Sequence, residues 1–268
     1  MTMVEQALAL LAREPAVWVT VDATQGSVPR DAGTWMAVFA TAVVGTIGGG
    51  RVEFEAIHEA RVRLAGAAAG APVLRYPLGP ALGQCCGGVM HLRFEPVTLA
   101  DADALRQRGA AARAPVALFG GGHVGHALVE VLARLPFAVT WIDSRDGIFP
   151  AQLPPQVSCE HSDPVHGAVD GLAPRSAVLV MSFSHAEDLD IVAQCLRRQR
   201  RAGDLARIGL IGSATKWATF RHRLQERGFS QDELARVDCP IGLPGIAGKE
   251  PEVIAVAVAA QLLLHRNV

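Results

Sequence analysis

The chain has 268 residues, half of them hydrophobic and 19% charged, a composition that excludes intrinsic disorder. Its 25 Lys and Arg stand against 26 Asp and Glu, so no broad basic field exists to attract nucleic acid. Five cysteines, an odd number in a chain this long, do not fit a secreted disulfide framework. The length favours two domains.

We also expect a cytoplasmic protein that does not enter the membrane. Glu5 stands where a signal peptide would carry positive charge, and no cleavage site follows. The longest apolar stretch, 253–264, is shorter than the roughly 20 residues that a bilayer-spanning helix needs. That stretch therefore predicts a buried helix.

The first half, 1–98, predicts an α+β domain with an antiparallel sheet. Its strands are expected at 17–21, 34–39, 42–47, 73–76 and 89–95. One amphipathic helix is predicted over 52–69. The side of this helix expected to face the core carries Phe54, Ile57, Ala60, Arg61 and Leu64, and the outer side carries Glu53, Glu55 and Glu59.

The second half, 114–268, has a different pattern, and we expect a linker at 98–114. A strand, a glycine-rich turn, a helix and a second strand follow one another from residue 115, which is typical of a parallel βαβ unit. Further strands are predicted at 157–160, 177–181 and 207–211. The fold class is therefore α/β, with a Rossmann-like, doubly wound parallel sheet after the α+β domain.

The glycine-rich turn of the second half has the spacing GxGxxG, formed by Gly120, Gly122 and Gly125. After a strand and before a helix, this spacing favours binding of a pyrophosphate at the helix N-terminus. Asp143 ends the next strand, where an acidic residue can accept hydrogen bonds from a ribose. The glycines could instead serve only the turn, Asp143 could cap the next segment, and His123 could contact a ligand or be structural.

Two loops of the first half are also candidate binding loops. Gly48, Gly49 and Gly50 lie between a strand and a helix, so their amides could bind an anion beside Arg51, or they could simply form a tight turn. In LGQCCGG, Cys85 and Cys86 are adjacent and flanked by glycine, which suits a nucleophile or a ligand for a soft metal, although buried inert thiols remain an alternative. Of the other cysteines, Cys159 and Cys195 are expected in the core, and Cys239 stays undecided.

Together, the segments GTIGGGRVEFEA, LGQCCGG, LFGGGHVG and CPIGLPGIAGKEPEVIAVAVAAQLL resemble the XdhC/CoxI family, named for the maturation of xanthine and carbon monoxide dehydrogenases. The resemblance covers nearly the whole chain, and both halves contribute to it. It implies an accessory protein rather than an enzyme. Such a chaperone binds the molybdenum cofactor (molybdopterin) and protects it while a cysteine desulfurase supplies the sulfido ligand. It then delivers the cofactor to a xanthine dehydrogenase-like apoenzyme.

The resemblance also assigns residues. The cysteine loop of the family falls on Gln84, Cys85, Cys86, Gly87 and Gly88, with the two cysteines as molybdenum or sulfur contacts, and its Rossmann turn falls on 120–125. The family commonly has Ala at the second position of this turn, where this chain has Gly121. A family strand end often reads Thr-His-Asp-His, whereas this chain has Ser-Phe-Ser-His at 182–185. His185 and Asp188 nevertheless remain candidates at that strand end, and a homodimer is plausible.

Two other functions compete with this hypothesis. An NAD(P)-dependent oxidoreductase would use the GxGxxG turn and Asp143, but the sequence identifies no acid or base beside a nicotinamide. A nucleotide-sensing regulator could bind its ligand in the Rossmann half and dimerise through the C-terminal helix. The second half could bind a separate nucleotide such as NAD(P), the molybdenum cofactor, or no ligand.

Overall fold

The computed structural model describes residues 2–66, 70–78, 87–111 and 113–265. The chain forms two compact units, Met1–Ala112 and Arg113–Val268. The predicted site residues Gln84, Cys85 and Cys86 lie outside the described residues. No helix in the described ranges is long and apolar enough to cross a membrane.

The first unit is built on a five-stranded antiparallel sheet with the order β3-β2-β1-β5-β4. Its strands are β1 (Ala16–Gln25), β2 (Trp35–Val38), β3 (Val43–Gly45), β4 (Val73–Pro77) and β5 (Val89–Val97). Its helices are α1 (Met3–Leu11), α2 (Gly50–Leu64) and α3 (Ala102–Ala111). In the central strand, Val19 pairs with Met36 of β2 and with Phe94 of β5.

Both faces of this sheet are covered. Because successive side chains of a strand point to opposite faces, Val17 and Val19 pack with α2, whereas Ala16 and Trp18 pack with α1 and α3. Trp18 stacks on Trp35 of the neighbouring strand, with 4.0 Å between the ring centroids. The α+β architecture expected from the sequence is therefore present, with helices on both sides of the sheet.

The inward face of α2 differs from the predicted face. Phe54 was expected in the core but is 74% exposed, and Arg61 is also exposed. The residues that pack on the sheet are Val52, Ala56 and Ala60, at spacings of four. Small side chains at these positions let the helix lie close to the strands, so the bulky Phe54 falls on the outer side. Ile57 and Leu64 are partly buried against the same core, as expected.

The segment expected to be a linker, 98–114, is mostly helical. A 3-10 turn over Leu99–Asp101 leads into α3, whose Leu105 is buried in the core beside α1. Gly109 lies against Val4 of α1, since a Cβ added at this glycine would be 2.8 Å from the valine Cγ2. This segment therefore packs into the first unit rather than separating two domains.

The second unit has a six-stranded sheet in the order β8-β7-β6-β9-β10-β11, and all its strand pairs are parallel. Its strands are β6 (Ala114–Phe119), β7 (Phe137–Asp143), β8 (Val157–His161), β9 (Ala177–Val180), β10 (Arg207–Leu210) and β11 (Val237–Asp238). Its helices are α4 (His123–Leu132), α5 (His185–Ala202), α6 (Ala214–Glu226), α7 (Gln231–Leu234) and α8 (Pro251–Leu264).

This strand order, 3-2-1-4-5-6 within the unit, is that of the Rossmann fold, so the predicted fold class is confirmed. Helices α4 and α8 cover one face of the sheet, and α5 and α6 cover the other. The order reverses between β6 and β9, and ligands of such sheets bind beside the carboxyl ends of these strands.

Candidate functional site

The glycine turn of the second unit begins where β6 ends. Gly120 has φ +123°, and a side chain there would collide with the carbonyl oxygen of Met181. A side chain at Gly125 would collide in the same way with the carbonyl oxygen of Gly120. Both glycines are therefore required by close approach of the backbone, at the first and third positions of the predicted pattern.

Gly122 differs from the other two glycines of the pattern. It is the N-cap of α4, with φ −79°, and no side chain caps the helix. A Cβ added at this position would meet no described atom within 4 Å. The first-turn amides of α4 therefore begin beside open space, the arrangement in which a helix N-terminus can receive a phosphate.

Asp143, the expected ribose acceptor, is buried and fully bonded within the chain. Its Oδ2 accepts a hydrogen bond from the Gly121 amide at 2.6 Å and another from Arg145 Nη2 at 2.9 Å. Its Oδ1 accepts from the backbone amide and from Nε of Arg145, each at 2.9 Å. Since a carboxylate offers about four acceptor positions, these four donors leave none for a sugar hydroxyl unless Arg145 moves.

The ionised form of Asp143 is favoured by these contacts. Burial acts to raise the pKa of the carboxyl group, but the hydrogen bonds from Arg145 and Gly121 outweigh burial, so its pKa lies below the ordinary value. Arg145 completes the arrangement by lying over the ring of Phe183, with 5.1 Å from its Cζ to the centroid. Sequence reasoning missed Arg145, whose signal was its position two residues after the acidic strand end.

The loop after β7 covers the glycine turn. A Cβ at Gly121 would lie 2.5 Å from Cγ1 of Ile148, so this glycine leaves room for the isoleucine. Ser144 donates a hydrogen bond of 2.6 Å to Glu187 of α5, which links this loop to the segment that follows β9. Gly121 therefore has a packing reason in this chain.

The histidines and the acidic residue predicted near this edge have separate environments. His123 and His185 are exposed, and the ring of His185 lies edge-on to Phe220 with centroids 6.2 Å apart. Asp188 is buried, accepts from the amide and hydroxyl of Ser182 at 2.8 Å each, and pairs with Lys216 at 2.7 Å. Asp188 therefore holds the end of β9 to α6, and Lys216 was not predicted from the sequence.

In the first unit, the glycine loop before α2 holds a carboxylate of its own chain. Glu53 Oε2 accepts hydrogen bonds from the amides of Ile47 and Gly49 at 2.9 and 3.0 Å. The hydroxyl of Thr46 donates to the same oxygen at 2.5 Å. Glu53 was expected on the outer side of the helix, but it turns back because the loop amides need an acceptor. The amides of Ile47 and Gly49 are therefore already hydrogen-bonded within the chain.

The turn after β1 lies against two of the predicted binding loops. A Cβ added at Gly48 would be 2.9 Å from Cβ of Pro29 and 3.1 Å from Cγ of Arg30. At Gly88, the end of the predicted cysteine loop, an added Cβ would be 2.5 Å from the carbonyl oxygens of Gln25 and Ser27. The turn 25–30 therefore brings Gly48 and Gly88 to one edge of the first unit.

Two further predicted site residues of the first unit, Arg51 and Gly87, lie in the described part of the chain. Arg51 pairs with Glu55 along α2, at 2.8 Å between Nε and Oε1. Gly87 has open space around it, since an added Cβ would meet no described atom within 4 Å. Neither residue is held by the packing of the loop.

Burial disfavours the thiolate form of each described cysteine. Burial raises the pKa of Cys195 to about 12, and this residue lies in the core as predicted. Burial also raises the pKa of Cys159 and of Cys239. Within the described ranges, no three His, Cys, Asp or Glu side chains are grouped so as to hold a metal ion.

Comparison with known proteins gives matches in both halves of the chain. Residues 116–262 match the family model of the XdhC Rossmann domain, and residues 9–77 match that of the XdhC and CoxI family. The uncharacterized protein YqeB of Escherichia coli (strain K12) is 27% identical over 250 residues, which cover 91% of this chain and 42% of YqeB. The chain thus spans about two fifths of the length of this relative.

A similar fold is found among solved structures. A protein described as a xanthine dehydrogenase from Bacillus halodurans matches with a TM-score of 0.75 and 19% sequence identity. The match covers 100% of this chain and 96% of that chain. At this identity the likeness concerns the fold, and it includes the elements of both units.

Proposed function

Because this chain belongs to the XdhC and CoxI family, we propose that it is a molybdenum cofactor chaperone acting in the maturation of a molybdenum hydroxylase. In this role it receives molybdopterin-bound molybdenum and shields it while a cysteine desulfurase supplies the sulfido ligand. It then delivers the cofactor to a xanthine dehydrogenase-like apoenzyme. The cofactor is cargo that is passed on.

The observation that carries the proposal is the presence of both family regions in one chain. A Rossmann fold alone supports many unrelated functions, so the match over 116–262 would not identify one. The second match, over 9–77, adds the region that contains the glycine loop Gly48–Gly50 and Arg51. Together the two regions favour cofactor maturation over a general nucleotide-binding role.

The chemistry of the cargo is compatible with the described residues. Molybdopterin can be extended through its phosphate to a nucleotide, and the open space beside Gly122 at the uncapped N-terminus of α4 suits the resulting pyrophosphate. The metal of the cofactor is already held by the two dithiolene sulfurs and receives a sulfido ligand, so a thiol is a suitable contact for it. We therefore assign Cys85 or Cys86 to the molybdenum or the transferred sulfur. The remaining proposed cofactor contacts are Gly48, Gly49, Gly50, Arg51, Gln84, Gly87, Gly88, Gly120, Gly122, His123, Gly125 and His185. Asp143 was also predicted as a contact, but its four acceptor positions are filled within the chain, so we assign it a structural role.

The test is to produce the protein in a host that makes the cofactor, purify it without oxygen and measure bound molybdenum and released pterin. The variants are Cys85→Ala, Cys86→Ala and the double change, with Cys159→Ala as the control for loss of an unrelated thiol. We expect the double variant to lose bound molybdenum and the ability to activate an apo-hydroxylase. A wild-type protein without molybdenum or pterin contradicts the proposal, and an unaffected double variant contradicts the cysteine assignment.

A second candidate is an NAD(P)-dependent oxidoreductase, which the strand order of the second unit favours. The four internal donors on Asp143 count against NAD as its cofactor, because the carboxylate has no free position for the ribose 2′-hydroxyl. Calorimetric titration with NAD and NADP distinguishes the two functions. Binding together with a substrate-dependent change in nicotinamide absorbance supports the oxidoreductase, and no binding supports the chaperone.

The proposed partners can be tested separately. Immobilised protein loaded with cofactor is expected to retain a xanthine dehydrogenase-like apoenzyme and a cysteine desulfurase. We also propose a homodimer, for which sedimentation analysis is the direct measurement. A monomer at all concentrations contradicts the dimer and leaves the chaperone role standing.

A further inference from the structure

The turn after β1 carries an arginine that no motif singled out. Arg30 is exposed and forms no hydrogen bond or ion pair with any residue that the structure describes. The stem of its side chain lies against the glycine loop, since its Cγ would be 3.1 Å from a Cβ added at Gly48. Arg30 therefore combines a packed stem with a free guanidinium group at the edge of this loop.

The glycine loop has little capacity of its own to bind an anion. Each backbone amide has one hydrogen to donate, and those of Ile47 and Gly49 are directed to the carboxylate of Glu53. The amide of Gly48 donates to the hydroxyl of Thr46 at 3.1 Å. The negative charge of Glu53 also repels a second anion. An anionic ligand at this edge therefore needs a cationic side chain.

Arg30 is better placed for this role than Arg51. The guanidinium of Arg51 is paired with the carboxylate of Glu55 at 2.8 Å, so a ligand would have to compete with that ion pair. Arg30 has no such competitor among the described residues. A guanidinium also matches a phosphate through two parallel hydrogen bonds, which a lysine ammonium cannot form in the same way.

We propose that Arg30 is the anion-binding residue of the first unit and takes the phosphate monoester of the pterin cargo. Gly48 leaves room for the stem of Arg30, because a Cβ at this position would lie 3.1 Å from the arginine Cγ. This inference rests on the proposed function, since it names the group that recognises the charged end of that cargo.

The test is an anaerobic binding titration with two probes, metal-free molybdopterin and the same pterin after removal of its phosphate. The variants are Arg30→Ala and Arg30→Lys. The control is Arg13→Ala, an exposed arginine before β1, about 30 Å from the turn at the ~3.3 Å rise of a strand residue. We expect Arg30→Ala to weaken binding of the phosphorylated pterin by about tenfold to a hundredfold. Arg30→Lys should fall between the alanine variant and the wild type.

The outcomes separate this inference from the proposed function. If the wild type binds neither probe, the proposed function fails and the inference with it. If the wild type binds both probes and Arg30→Ala binds them as the wild type does, only the inference is overturned. Equal weakening for both probes also overturns it, because the phosphate would then not be recognised. Should Arg30→Ala not fold, Arg30→Lys decides: an unchanged preference for the phosphorylated pterin overturns the inference, and a reduced preference supports it.

Discussion

The backbone amide of Gly121 donates a 2.6 Å hydrogen bond to the carboxylate of Asp143, joining the glycine turn after β6 to the end of β7. The same carboxylate holds Arg145 through three further hydrogen bonds. The acidic residue that the Rossmann pattern reserves for a ribose therefore acts here as a cap for the turn. A nucleotide that used it would first have to displace Arg145.

Asp143 is expected to make stability depend on pH in the acid range. Its pKa is lower in the folded chain than its unfolded value of about 3.9, so its stabilising effect is complete above that value. The effect is lost as the pH falls through the folded pKa. Asp143→Asn should therefore flatten the acid side of a plot of unfolding free energy against pH, measured by urea titration.

The same variant should be less stable at neutral pH, by about 1–3 kcal/mol, because the Asn amide cannot accept from all four donors. Asp103→Asn is the control, since its side chain is 90% exposed and its pair with Arg106 lies at the surface. If Asp143→Asn retains the acid dependence of the wild type, the carboxylate is not its source.

The glycines of the turn should separate into structural and ligand-contacting positions. Gly120→Ala should lower the unfolding free energy by at least ~2 kcal/mol, because it combines a positive φ with a clash against Met181. Gly122→Ala should fold with nearly wild-type stability, since a Cβ there meets no described atom within 4 Å. It should nevertheless weaken cofactor binding. Stability comes from thermal unfolding, and binding from bound molybdenum and pterin.

Glu53 should contribute much more to stability than its neighbour Glu55. Glu53→Ala leaves two amides and a hydroxyl without their acceptor, and we expect a loss of about 1–3 kcal/mol. Glu55→Ala removes an exposed helical ion pair worth about 0.3–0.5 kcal/mol. Parallel denaturant titrations of the two variants measure the contrast, and equal losses would contradict the capping role of Glu53.

Because Phe54 faces outward, we expect its replacement to leave the free energy of unfolding almost unchanged. Phe54→Ser should change the free energy of unfolding by no more than about 0.5 kcal/mol, because the residue is 74% exposed. Val52→Ala, on the inward face of the same helix, should cost about 1–3 kcal/mol. A large loss for Phe54→Ser would mean that the ring is covered in solution.

The sequence predicted the second unit better than the first because parallel βαβ units combine periodicity with a glycine signature. The turn at 120–125 and the position of Asp143 could both be read from spacing. The role of Arg145, which fills the acceptor positions of Asp143, could not be predicted, because nothing in the sequence distinguishes this arginine from other charged residues. Lys216 was not predicted for the same reason, because its ion pair with Asp188 joins two residues that are 28 positions apart in the sequence.

In the first unit, three predictions from local sequence patterns were wrong. The alanine- and arginine-rich segment 98–114 has few branched apolar residues and so resembled a linker, yet alanine and arginine favour helix and form much of α3. The spacing of three and four residues along the helix placed Phe54 in the core, whereas close packing on the sheet selected Ala56. Glu53 was placed outside by its charge, although the nearby loop amides required an acceptor. Each outcome depended on contacts that spacing alone does not encode.

Trp141 gives the second unit an optical reporter. Its indole Nε1 donates to the carbonyl oxygen of Gly120 at 2.9 Å, and its ring is buried with His126 and Phe149 edge-on at 4.8 and 5.2 Å. Tryptophan emission responds to polarity and to hydrogen bonding of the indole. A cofactor that binds at the glycine turn would therefore alter the fluorescence of Trp141, one of the four tryptophans of the chain, without any added label.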